Sequence, residues 1–269
     1  MQSPFSCSTR LNDKVFVTHT MLSITDTIYN GQAMQDKFVM TMLRHKRNGT
    51  FLELGGNDPC VINNTYLLES KYNWKGIIVE LDTRFKISYL TKRPNSHHVF
   101  QDATTVDYVS LLKKLDYPNT IDYLQIDLEP GNGSTLKSLK NLDKNVFDTY
   151  KFATITFEHD IYMAYSNNQM FKQTRDESRT IFQNRGYVRV FSDVNNDGWL
   201  ENDEHRERLI SGKTVTAGNY SGKNPFEDWY VHPDLVDMNY VNSILEKNAN
   251  NYTYHPVCQK TINFERIQY

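Results

Sequence analysis

Residues 50–69 read TFLELGGNDPCVINNTYLLE. Thr50 to Leu54 alternates and is apolar enough for a buried strand, and Gly55-Gly56 then frees the backbone for a tight turn. The stretch NNTYLLESKY that follows (63–72) has the pattern of a helix. A strand, a glycine turn and a helix in that order form the unit in which α/β proteins hold a nucleotide at the carboxyl end of the strand.

The pattern repeats along the chain. GIIVEL (76–81), HHVFQD (97–102), IDYLQID (121–127), FATITFEHD (152–160) and YVRVF (187–191) read as strands. Helical stretches separate them: DTRFKISYLTK, VDYVSLLKKL, STLKSL and RDESRTIFQNRG, the last closed by Gly186. An earlier helix, DKFVMTMLRHK (36–46), places Phe38, Val39, Met42 and Leu43 on one face. The β-α-β-α alternation predicts an α/β fold with a mostly parallel sheet and helices on both faces. Residues 1–30, rich in Ser and Thr, are expected to form a leader, 31–240 the main domain, and 241–269 a C-terminal extension. Residues 193–226 are expected to be an inserted loop or lid.

Composition narrows the partners. The 269-residue chain has a formal net charge of −2 and 39% hydrophobic residues, enough for a core and no general attraction for nucleic acid. Cys7, Cys60 and Cys258 make neither a zinc pattern nor a disulfide framework, which points to reduced thiols in a cytoplasmic setting. No run approaches the roughly 20 apolar residues of a membrane span.

Acidic residues mark the strand ends: Glu53 before Gly55-Gly56-Asn57-Asp58, then Glu80, Asp102, Asp127 with Glu129, and Glu158-His159-Asp160. Glu80 suits a pair of ribose hydroxyls, and Asp102 an adenine amino group. The first loop lacks the third glycine of a dinucleotide site, and Asp58 stands where a phosphate would be repelled. S-adenosylmethionine (SAM), with a sulfonium, an ammonium and no phosphate, fits an acidic loop better.

Taken together, YNGQAMQDKFV, FLELGGNDPCVINNTYLLE, WKGIIVELD, IDYLQIDLEP, ITFEHD, SRTIFQNRGYVRV and FEDWYVHP resemble the FkbM family of class I SAM-dependent methyltransferases across about residues 29–237. The resemblance implies a Rossmann-like seven-stranded sheet and methyl transfer to an oxygen, on a small molecule or glycan with a free hydroxyl. It assigns Glu53, Gly55, Asn57 and Asp58 to the first cofactor loop, Glu80 to the ribose and Asp102 to the adenine end. Tyr29, Gln32 and Asp36 match the opening motif and are expected to line the cofactor pocket, with Gln32 binding the cofactor; a simple helix cap is the alternative for Asp36. Asp127-x-Glu129 and Glu158-His159 match the fourth and fifth strands. Where the family continues Asp-x-Glu-Gly-x-Glu, this chain reads Asp127-Leu128-Glu129-Pro130-Gly131-Asn132, without the last acid.

Methyl transfer to an alcohol needs the hydroxyl positioned and its proton removed. His159, Asp127 and Glu129 are the candidate catalytic residues. Asp127, Glu158 and His159 could instead hold Mg²⁺, which would acidify the hydroxyl; a structural Glu158-His159 pair is the third option. DVNNDGWLENDE (193–204) places Asp193, Asn195, Asp197 and Glu204 at calcium-loop spacing, but a strand leads in where an EF-hand has a helix, so at most a weak Ca²⁺ site is expected. In NPFEDWYVHP (224–233), Glu227 and Asp228 either face the substrate or belong to a strand whose aromatics fill the core. The alternatives to a small-molecule O-methyltransferase are an RNA methyltransferase and a non-catalytic calcium-binding module on the same fold.

Overall fold

The computed structural model describes residues 29–166, 168–195 and 224–269. The leader up to residue 28, and most of the expected lid (196–223), lie outside the described residues.

One mixed sheet organises the chain. Its strands are β1 (Thr50–Leu54), β2 (Lys75–Glu80), β3 (His97–Phe100), β4 (Thr120–Ile126), β5 (Lys151–Glu158), β6 (Val188–Asn195), β7 (Pro225–Val231), β8 (Tyr252–His255) and β9 (Gln259–Asn263). They lie in the order β3-β2-β1-β4-β5-β7-β6-β9-β8. Strands β1 to β5 are parallel, and β7 inserts antiparallel between β5 and β6. The first seven strands form a Rossmann-like sheet in the order β3-β2-β1-β4-β5-β7-β6. The count of seven is exceeded because residues 252–263 fold into an antiparallel hairpin, and β9 joins β6 through Val194–Ile262 and Asn195–Asn263.

Helices cover both faces, and strand alternation divides the core between them. Phe51, Ile78, Tyr123, Trp229 and Val231 pack on one side, against Phe38, Val39 and Met42 of α1 (Gln35–Met42). Leu52, Leu54, Ile77, Val79, Leu124, Ile126, Phe157 and Tyr230 face the other side. There α4 (Tyr108–Lys114) and α5 (Ser134–Asn145) supply Leu112, Leu139 and Leu142, and α6 (Gln169–Asn184) supplies Phe182. The helices α2 (Tyr66–Tyr72), α3 (Lys86–Lys92) and α7 (Met238–Asn248) complete the layers.

Several boundaries differ from the sequence expectation. Helix α1 stops at Met42 because Arg44 and His45 adopt left-handed φ values of 52° and 56°. Helix α6 begins six residues earlier than RDESRTIFQNRG suggests, since the Asn168 side chain accepts from Met170 N and caps it. Strand β6 continues through the polar stretch SDVN to Asn195, where β7 and β9 flank it.

Candidate active site

The turn after β1 is built by close approach. A Cβ on Gly55 (φ +86°) would sit 1.8 Å from Asp127 O, and one on Gly56 would sit 2.3 Å from Tyr89 Oη. Asn57 takes a left-handed φ of 47°, which Asn tolerates better than most residues. Asp58 Oδ1 accepts from the backbone N–H of Cys60 and Val61 and so fixes the next turn.

Beneath that loop lies a buried charge network. Arg93, fully buried, donates to Glu69, Asn63 Oδ1, Thr65 Oγ1 and Pro59 O. Thr65 Oγ1 in turn donates to Glu53 Oε2 at 2.8 Å. Burial pushes the Glu53 carboxyl up to about 7, against the opposing pull of Arg93 and Thr65. Arg93 follows a helix with no motif around it, and nothing in the sequence singles it out.

Two adjoining cavities open at the carboxyl ends of the strands. The larger, about 680 Å³, is lined by Gln32, Glu53, Gly55, Gly56, Asn57, Asp58, Glu80, Asp82, Phe85 and Asp127 among others, with no Lys or Arg among the described residues. The smaller, about 400 Å³, shares Gly55, Glu80 and Leu128 with it and adds Asp102, Glu129 and Lys137. Glu80 sits at their junction. Its Oε2 accepts from Asn57 N and its Oε1 from Asp82 N, both at 2.6 Å, so each oxygen keeps a lone pair for a ligand. Asp102 Oδ1 accepts from Thr104 N, which with the Thr104 side chain holds its carboxyl below the usual range. Glu129, expected beside Asp127, lines the smaller cavity and caps the following turn through Gly131 N. Asp36 caps the segment before α1, accepting from Asn30 N at 2.6 Å; burial raises its carboxyl to about 7.

Next to the larger cavity runs a row of carboxyls. Asp127 and Glu158 lie one step beyond the paired residues Ile126 and Phe157, and Glu158 pairs in register with Glu227 on β7. Asp127 and Glu158 therefore stand next to one another across β4 and β5, and burial raises the Asp127 carboxyl as well. Burial, then repulsion from Asp127 and Asp160, pushes Glu158 well above the carboxylate range. Burial and the Asp127 charge raise Asp160 to about 7 and Glu227 to about 8. Glu227 is held by Trp229 Nε1 at 2.6 Å and by Gln35 Nε2 at 3.0 Å.

His159 is not part of this row. Consecutive strand residues point to opposite faces, so Glu158 and His159 diverge. The His159 ring is fully buried; its Nδ1 accepts from Ile161 N, and its Nε2 lies 3.5 Å from Asp228 Oδ1 and 3.7 Å from Asp193 Oδ1. The expected ligand set Asp127, Glu158 and His159 is therefore not brought together. Among the described residues, the group close enough to hold a metal is His159, Asp193 and Asp228. Arginines already fill it. Arg179 clamps Asp228 through Nε and Nη2 at 2.6 and 2.8 Å and reaches Asp193 Oδ2 at 2.8 Å, with Arg175 at 3.3 Å from Asp193. Against the upward push of burial, Arg179 and His159 hold Asp228 well below the usual range.

The same contacts engage the first two residues of the calcium-loop spacing. Asp193 and Asn195 belong to β6; the Asp193 carboxylate is taken by arginines, and Asn195 Nδ2 donates to Thr261 Oγ1 at 2.8 Å. Asp197 and Glu204 lie outside the described residues. Among the described residues, no helix is long and apolar enough to cross a membrane.

No protein-family model and no curated relative matches the chain. Solved structures do. It is similar to a TehB-like SAM-dependent methyltransferase from Corynebacterium glutamicum (13% identity, TM-score 0.42, 77% of this chain and 90% of that one). It is also similar to precorrin-6y C5,15-methyltransferase from Geobacter metallireducens (12% identity, TM-score 0.44, 77% and 91%).

Proposed function

We propose that the protein is a SAM-dependent O-methyltransferase, acting on a hydroxyl of a small molecule or glycan, as the resemblance to the FkbM family implies. The observation that carries the cofactor assignment is the lining of the larger cavity, where Glu53, Asp58, Glu80, Asp82 and Asp127 stand without a Lys or Arg among the described residues. Such a wall repels a pyrophosphate and attracts a cationic ligand. When bound, SAM supplies a methyl group already activated by its sulfonium.

The chain's own residues supply position and proton transfer. Glu80 receives the ribose hydroxyls, Asp102 the adenine edge, and the Gly55-Gly56 turn allows the cofactor to lie against the backbone. Asp127, on the cavity wall, orients the acceptor hydroxyl and takes its proton as the oxygen takes the methyl group. His159 supports the ends of β5 and β7 through Asp228 rather than acting on the acceptor. Incubation with labelled SAM and fractionated host lysate, followed by identification of the labelled product, tests the reading. A label on a hydroxyl-derived ether supports it, and a label on RNA or on no product would contradict it.

A further inference from the structure

Beyond Asp127, the face of the sheet covered by α1 carries more carboxyl groups than cofactor binding uses. Strands are spaced about 4.8 Å apart, so Glu158 and Glu227 lie one and two strands past the cavity wall. Asp160 joins them at the end of β5. The nearby described guanidinium groups are engaged elsewhere: Arg93 with Glu69, and Arg179 with Asp228 and Asp193.

Two polar groups in this region have no partner. Gln125 is 1% exposed and lies beside Asp127, yet neither its Oε1 nor its Nε2 makes a hydrogen bond of good geometry. Glu158 Oε2 is likewise buried and unpartnered. Buried polar groups are seldom left so. Acids without counter-cations beside unused donors and acceptors describe a site completed by a ligand.

Resting on the methyltransferase reading, we propose that the acceptor carries a protonated amine close to the hydroxyl that is methylated, and that Glu158 and Asp160 receive this amine. The arrangement favours an organic cation over a metal ion. Among the described residues, the carboxylates of this row form no group of three close enough for one ion, whereas His159, Asp193 and Asp228 do. An ammonium needs only two or three acceptors around it and tolerates their spread. Its arrival also relieves the mutual repulsion of Glu158, Asp160 and Asp127. Glu227, held by Trp229 and Gln35, closes the row from behind.

The test is calorimetric titration of protein saturated with S-adenosylhomocysteine, using glucosamine against glucose and spermidine against a neutral diol. The amines are expected to bind at least tenfold more tightly than their neutral counterparts. Glu158→Gln, whose lost oxygen has no partner in the fold, is expected to remove that preference while leaving S-adenosylhomocysteine affinity and melting temperature unchanged. Asp160→Asn provides the same test on a second residue. Glu177→Gln, a surface substitution on α6, is expected to behave as wild type. Equal binding of amine and neutral probes, no amine binding, or Mn²⁺ binding that depends on Glu158 would overturn the proposal. Equal weakening by Glu177→Gln would overturn it as well. If S-adenosylhomocysteine does not bind wild-type protein, the methyltransferase reading falls and the proposal with it; if it binds without an amine preference, the proposal alone falls.

Discussion

Asp127 and Glu158 stand side by side at the carboxyl ends of β4 and β5, each one residue past the paired Ile126 and Phe157. Burial pushes both carboxyls upward, and the charges of Asp127 and Asp160 raise Glu158 further. The pair links the larger cavity on one side to Glu227 on the other.

This arrangement sets the pH dependence of stability. Glu53, Asp36 and Asp160 are raised to about 7 and Glu227 to about 8, so the folded chain holds protons that the unfolded chain releases near pH 4. Stability is then lost as pH rises from about 4 through 8. The depressed Asp228 works in the opposite sense, but its contribution is complete above its unfolded pKa and stays constant over that window. The melting temperature of ligand-free protein is expected to fall by several degrees between pH 5 and pH 8. A flat or rising profile would contradict the raised values.

Arg93 is expected to govern the shape of the cofactor loop. Removing it leaves Glu69 buried without its counter-charge and frees Asn63 and Thr65, at a cost of about 3–5 kcal/mol. Arg93→Met should lower the unfolding free energy in urea by that order and weaken SAM binding. A stability within 1 kcal/mol of wild type would show that the network contributes little.

Metal removal is expected to leave turnover unchanged, because Asp127, Glu158 and His159 do not converge. Activity measured before and after dialysis against EDTA decides this. Loss of activity restored by Mg²⁺ would return a metal to the acceptor site.

His159→Asn is expected to keep turnover within tenfold of wild type, while Asp127→Asn lowers it by about 10²-fold or more. The first substitution should lower the melting temperature, since it removes support from the Asp228 and Asp193 pair. A large loss of turnover in His159→Asn at unchanged stability would give His159 the proton-transfer role instead.

The parallel half of the sheet was legible in the sequence because each strand there is an apolar run closed by an acid, from Glu53 through Glu158. The positions of Glu80 and Asp102 at the cavities follow from that pattern alone. The meeting of Glu158 with Glu227, and of His159 with Asp228, depends on the register of β7, which no local pattern encodes. The end of β6 was hidden because SDVNN has the composition of a turn, and only flanking by β7 and β9 makes it a strand. The hairpin of β8 and β9 is short and polar, so it carries little strand signal before it meets the sheet edge.

Cofactor identity is the central claim, and Glu80 is where it is most exposed to test. Each charge-assisted hydrogen bond from Glu80 to a ribose hydroxyl is worth roughly 1.5–3 kcal/mol, which corresponds to a tenfold or greater change in affinity. Calorimetric titration of wild type and Glu80→Ala with SAM and with NAD is the most direct measurement. The expected result is that SAM binds wild type, Glu80→Ala binds it at least tenfold more weakly, and NAD binds neither. Binding of NAD without binding of SAM would contradict the assignment.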